Sequence, residues 1–160
     1  MRIARRVVAA ILVVGAAGWL AMVFWHARCP GLRELWVLAT PVKKFAPPFP
    51  ADWYVEDLSS SNRQLVVRIL TMYCRGEVPD RGVPSVVHLA RQGDGTTVRV
   101  NALAALFFTA EHSRRDWRRS RWLTELLNAL SEDADPQVRS DAREMYRELG
   151  LEGLAGSGRP

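Results

Sequence analysis

Between residues 114 and 122 the chain reads Arg114-Arg115-Asp116-Trp117-Arg118-Arg119-Ser120-Arg121-Trp122, five arginines and two tryptophans in nine positions. Guanidinium groups pair with anions through a planar fork and stack on indole rings, so this set could hold phosphates, lipid headgroups or an acidic peptide. Arg114, Arg115, Trp117, Arg118, Arg119 and Arg121 are therefore the candidate partner-binding residues. A solvated helix face carries the same residue types, and Asp116 with the acidic stretch that follows can neutralise part of the charge.

The remaining reactive side chains form no constellation. His88 and His112 lack a second ligand at metal spacing, such as a histidine four residues away, and His88 lies between apolar Val87 and Leu89. Cys29 and Cys74 are too few for a disulfide scaffold and have no metal-ligand spacing; two free thiols or one bridge both fit. No serine stands in a nucleophile elbow, and Gly93-Asp94-Gly95 is too short for a phosphate cradle. Glu132, Asp133 and Asp135 surround an expected helix start, where negative charge is favourable for structural reasons. The expectation is a chain without catalytic residues, cofactor or metal, and not an enzyme.

The elements that carry these residues repeat. Val83 to Thr109 reappears 40 positions later, from Leu123 to Leu149, with apolar positions in register. Val83 answers to Leu123, Val86 to Leu126, Val87 to Leu127, Ala90 to Leu130, Val98 to Val138, Ala102 to Ala142, Ala105 to Met145 and Leu106 to Tyr146. Arg99 falls on Arg139. Two apolar stripes at helical spacing in each copy predict stacked helix pairs, since one pair alone cannot bury its apolar face.

Local punctuation places the helices. Ser61 with Gln64 forms a capping box for a helix carrying Leu65, Val66, Ile69, Leu70 and Tyr73 until Gly76. Pro84 suits the first turn of a helix running to about Gln92, and the next begins near Thr97 and runs to about Glu111. Ser113 with Asp116 predicts a cap for a helix ending at Leu130. Asp135 caps the last helix, Pro136 takes its first position, and Gly150 ends it.

Ahead of this lies Val7 to Trp25, 19 residues without a charge, matching the roughly 20 needed to cross a bilayer. Arg2, Arg5 and Arg6 precede it, and Trp19 and Trp25 suit an interface. It is long for a signal peptide, and cleavage after Ala16-Ala17-Gly18 would leave an apolar stub, so a retained membrane anchor is expected. The denser N-terminal arginines favour the bulk of the chain lying outside the cytoplasm. Pro41, Pro47, Pro48 and Pro50 then predict an extended spacer. The resulting division is a membrane anchor at 1–28, a membrane-proximal segment and spacer at 29–57, a helical repeat domain at 58–151 and a disordered tail at 152–160.

The net charge of +5 is concentrated at the N-terminus. From Cys29 onward 18 basic residues meet 17 acidic ones, which disfavours nucleic acid as a partner. Residues 63–122 nevertheless hold 11 basic and 5 acidic side chains, against 4 and 8 in 123–160.

Asp135-Pro136-Gln137-Val138-Arg139 followed by Ala142 resembles the second helix of a HEAT repeat. Val98-Arg99 with Ala102 looks like the same element one repeat earlier, and Asn62-Arg63 with Val66, Ile69 and Leu70 like an older copy in which Arg63 takes the place of Arg99. The resemblance covers about residues 62–150. It implies an all-α fold, a short α-solenoid of about two and a half HEAT-like helix pairs, here behind an N-terminal transmembrane helix. It also implies structural roles for Asp135, Arg139 and Arg99 in bonds between neighbouring turns. Repeat two departs from the pattern, with Gly95 and Thr96 where Asp and Pro would stand. Such repeats serve unrelated systems, so function follows only as a scaffold or adaptor binding another protein, held to a membrane by the N-terminal helix. The alternatives are a cytoplasm-facing nucleic-acid-binding repeat, or an enzyme resembling the chromophore lyases, which would use Cys74 or His88.

Overall fold

In the computed structural model, residues 11–21, 30–39, 50–112 and 120–151 are described, and every regular element among them is helical. The chain divides into two compact units, Met1–Thr40 and Pro41–Pro160.

The first unit holds α1 over residues 11–21 and α2 over Pro30–Ala39. Here the expected transmembrane helix is corrected: among the described residues no helix is long and apolar enough to cross a membrane. The described part of the uncharged run is the helix 11–21, whose Ile11, Leu12, Val13, Val14, Trp19 and Leu20 are all exposed. Length was the criterion behind the anchor, and 11 helical residues rise only about 16 Å, roughly half a hydrocarbon core.

The second unit opens with two 3₁₀ turns, Ala51–Tyr54 and Glu56–Ser59. Then come α3 (Arg63–Tyr73), a third 3₁₀ turn (Asp80–Gly82), α4 (Val83–Gln92), α5 (Thr96–His112), α6 (Arg121–Leu130) and α7 (Pro136–Glu148). α4 pairs with α5 and α6 with α7 as hairpins, while α5 packs on both α3 and α7. A helix enclosed on several sides needs apolar residues around its girth. α5 has them: Val98, Ala102, Leu103, Ala105, Leu106 and Ala110 are all buried.

The repeat is visible in burial as well as in letters. Val86 and Leu126, Ala90 and Leu130, Val98 and Val138, and Ala102 and Ala142 are buried in both copies. Ala105 and Leu106 are buried in α5, whereas their counterparts Met145 and Tyr146 are half-exposed. The difference follows from position, because α5 lies between α3 and α7.

Two helix starts differ from expectation. α3 is capped by Asn62, not Ser61: the Asn62 carboxamide oxygen accepts from the amides of Gln64 and Leu65 at 3.1 and 3.3 Å. Ser60 Oγ in turn accepts from the Asn62 amide at 3.1 Å, which places the asparagine for that task. α6 begins at Arg121, and its N-cap Ser120 has extended backbone (φ −73°, ψ 118°), so no helix runs through from Ser113. The Ser113 cap itself lies outside the described residues, as do the spacer at 40–49 and the tail at 152–160. The last helix matches expectation, with Asp135 Oδ1 accepting from the amides of Gln137 and Val138, Pro136 in its first turn and Gly150 at φ +68° beyond its end.

Between α3 and α4 the chain is held by Thr109 of α5. Its buried hydroxyl accepts from the Val78 amide at 2.9 Å and donates to the Ala105 carbonyl at 2.7 Å. Tyr73 Oη, donating to the Ala51 carbonyl at 3.0 Å, ties α3 to the first 3₁₀ turn.

Candidate functional site

Arg99 and Arg139 are each the fourth residue of their helix, whereas Arg63 is the first residue of α3, and the three have different surroundings. Arg99, in the first turns of α5, reaches into the turn between α6 and α7. Its Nη1 donates to Asp133 Oδ1 at 3.0 Å, its Nη2 donates to Asp133 Oδ2, and its Nε donates to the Ala90 carbonyl at 3.2 Å. Both side chains of this pair are mostly buried, at 15% and 16% exposure. Such a two-armed, charge-assisted contact is among the stronger polar links a protein makes. It holds the Asp133 carboxyl well below the usual carboxylate range.

Arg139 has no following turn among the described residues. Its guanidinium folds back and donates to the carbonyls of Asp133 and Ala134 in its own turn. Asp135, beside them, accepts from the Thr96 hydroxyl, which holds its carboxyl low, together with its capping bonds. Arg99 and Asp135 thus bond between neighbouring turns, as the resemblance implied, whereas Arg139 bonds only within its own turn among the described residues. Where repeat two has Thr96 for proline, the hydroxyl supplies a bond to Asp135 that proline could not make.

Arg63, at the start of α3, also reaches to the next turn, but that turn is Gly93-Asp94-Gly95. Its guanidinium lies against Gly95, where an added Cβ would come within 2.6 Å of Nη2. Gly95 has φ +82°, so a glycine serves both the turn and the close approach. Neither an ion pair nor a hydrogen bond engages the Arg63 side chain among the described residues.

The space beside Arg63 is a groove of about 480 Å³, lined by Leu58, Ser59, Ser60, Ser61, Arg63, Val66, His88, Leu89, Asp94 and Val98. Four short segments build it. Leu58, Val66 and Val98 form a buried apolar floor, with Leu89 half-buried at its side. The hydroxyls of Ser59 and Ser60 are committed to the turn before α3, on the Glu56 carbonyl and the Asn62 amide. Arg63, His88 and Asp94 are exposed and present their charged or polar ends to solvent. Serine, histidine and aspartate are the residue types of a proton relay, yet no hydrogen bond joins His88 to Asp94 or to a serine among the described residues. As built, the groove is suited to holding a ligand.

Of the arginine and tryptophan cluster, Arg114, Arg115, Trp117, Arg118 and Arg119 lie outside the described residues. Arg121 is described; it is 92% exposed and pairs along α6 with Glu125 at 2.6 Å. Cys74 is a free, half-buried thiol whose Sγ faces the Asn101 carbonyl at 3.9 Å, and burial pushes it up to about 11. It does not line the groove. No three-residue group of His, Cys, Asp or Glu among the described residues is placed to hold a metal ion.

Sequence reading noticed Arg63 only as a weak copy of Arg99 and missed the groove. The available signal was the pairing of that arginine with a glycine turn in place of an acidic one. No protein-family model matches the chain, and no curated protein and no solved structure shows significant similarity to it.

Proposed function

We propose that residues 58–151 form a HEAT-like helical repeat module that binds another protein and performs no chemistry of its own. The observation that carries this reading is the groove beside Arg63. Its apolar floor is buried and drawn from the second 3₁₀ turn, α3 and α5, and its rim holds Arg63, His88 and Asp94, whose side chains make no hydrogen bond to one another among the described residues. That combination suits an extended segment of a partner, which needs a pocket for one side chain and hydrogen-bonding groups beside it. The arginines at 114, 115, 118, 119 and 121, with Trp117, are proposed as a second contact region on the strength of their charge.

Repeat chemistry favours the same reading. Arg99, Asp133 and Asp135 link one hairpin to the next, and the groove lies on surface that this linkage does not use. The raised thiol of Cys74 counts against a nucleophilic, lyase-like role at neutral pH.

The test uses the full chain as bait. A purified partner retained by it should bind at least about tenfold more weakly after Leu89→Glu, which puts a charge beside the apolar floor without entering the core. Charge reversal at the five arginines is the parallel arm. Retention unchanged by both sets of substitutions would remove the groove and the cluster as contact surfaces, and turnover of a substrate in the groove would replace the binding reading altogether.

A further inference from the structure

The groove beside Arg63 is, we infer, a receptor for a single carboxylate next to an apolar side chain, presented by an acidic residue of a partner protein. This rests on the protein-binding reading above and adds the chemistry of what is bound. The molecule contains its own precedent. In the next hairpin another arginine near a helix start, Arg99, closes both arms on the Asp133 carboxylate of the neighbouring turn. At Arg63 the neighbouring turn offers glycine at the place of contact, and among the described residues no carboxylate pairs with the guanidinium, which leaves it open to one presented by a partner.

Three further observations shape the ligand. Among the described residues no hydrogen bond or ion pair of the Arg63 side chain would have to break on binding, and the groove opens beside its guanidinium. Leu58, Val66 and Val98 line the same groove and supply a floor for an apolar side chain beside the carboxylate. Asp94 lines the same groove and adds a negative charge. A ligand with several adjacent acidic groups, or a dianionic phosphate, is therefore repelled by Asp94 more strongly than a lone carboxylate is. The helix N-terminus at α3 contributes little, because Asn62 already occupies the amides of Gln64 and Leu65.

The probe is a blocked peptide of leucine, aspartate and leucine, titrated into the full chain while the Arg63 Nε–Hε signal and the Ser61 and Asp94 backbone amides are followed by NMR. The expected result is a saturable shift of these signals, absent with the asparagine version of the peptide. Binding should weaken about tenfold in Arg63→Gln and be only partly kept in Arg63→Lys, which retains charge but loses the fork. Thermal unfolding should stay unchanged in Arg63→Gln, since no hydrogen bond or ion pair engages that side chain among the described residues. Equal shifts with the asparagine peptide, unchanged affinity in Arg63→Gln, or stronger binding of inorganic phosphate, a phosphoserine peptide or an oligonucleotide would each overturn the proposal. The two readings fail separately. A partner held equally by wild type and Arg63→Gln, but lost in Leu89→Glu, overturns the carboxylate site and leaves the binding module standing; turnover in the groove with the aspartate shift intact does the reverse.

Discussion

At the scale of single residues, Asp133 is where acid reaches this fold. Its carboxyl is held low first by the two-armed bond from Arg99 and then by the Asp135 amide, which donates to Oδ1 at 2.9 Å. A carboxyl depressed in the folded state stabilises it above the unfolded value near 4, and that stabilisation disappears as pH falls through the folded value. Asp135 shifts in the same direction through the Thr96 hydroxyl. Melting temperature is therefore expected to be flat from pH 7 to 5 and to fall below about pH 4, and the fall should be shallower in Asp133→Asn. At neutral pH, Arg99→Ala should cost about 1–2 kcal/mol in urea unfolding, a modest figure because the pair is not fully sealed from water. Cys74 offers a second residue-level check. With its thiol pushed up to about 11, native-state alkylation at pH 8 should be roughly tenfold or more slower than in urea, followed at the peptide containing Cys74 by mass spectrometry.

Among the elements, the turn between α4 and α5 is the one with least freedom. An alanine Cβ at Gly93 would meet the Leu89 carbonyl oxygen at 2.5 Å and Val98 Cγ1 at 2.8 Å, while Gly95 needs its positive φ and the space that Arg63 fills. Gly95→Ala is expected to destabilise by about 1–2 kcal/mol, and to displace the Arg63 guanidinium, which NMR of its Nε–Hε group would register. Asn62→Ala should cost about 1 kcal/mol, where Ser61→Ala costs little, because the carboxamide and not the hydroxyl caps α3. This is also where sequence and structure part. Asp135-Pro136 marked α7 unambiguously, since a cap and an N-terminal proline act within one turn of chain. At α3 the Ser61–Gln64 capping box pointed one residue too early, since the Asn62 carboxamide caps the helix with its own amide held by Ser60 Oγ. The groove was out of reach because residues 58–61, 63 and 66, 88 and 89, and 94 and 98 meet only after α3, α4 and α5 have packed. For the apolar run near the N-terminus, hydropathy and length spoke for a membrane span, and the described helix is too short to carry it.

For the second unit as a whole, α3, α5 and α7 form a row in which only α5 touches both neighbours. Stability in such an array divides into what each hairpin contributes and what each junction contributes. The junction between the α4–α5 and α6–α7 hairpins has an apolar part, around Val98, Ala102, Val138 and Ala142, and a polar part in Arg99–Asp133 and Thr96–Asp135. α6 and α7 are linked to the rest mainly through α5, so loosening that junction should let the terminal hairpin open before α3, α4 and α5 do. Hydrogen exchange on Arg99→Ala tests this. Protection of the α6 and α7 amides should drop by about five- to thirtyfold, matching a loss of about 1–2 kcal/mol, while α3 amides change far less. A core cavity supplies the contrast: Leu70→Ala, at a fully buried site on α3, should cost about 3 kcal/mol and lower protection around α3 and α5 first. Uniform loss across all five helices in both variants would mean a single cooperative unit, and the division into hairpin and junction contributions would fail with it.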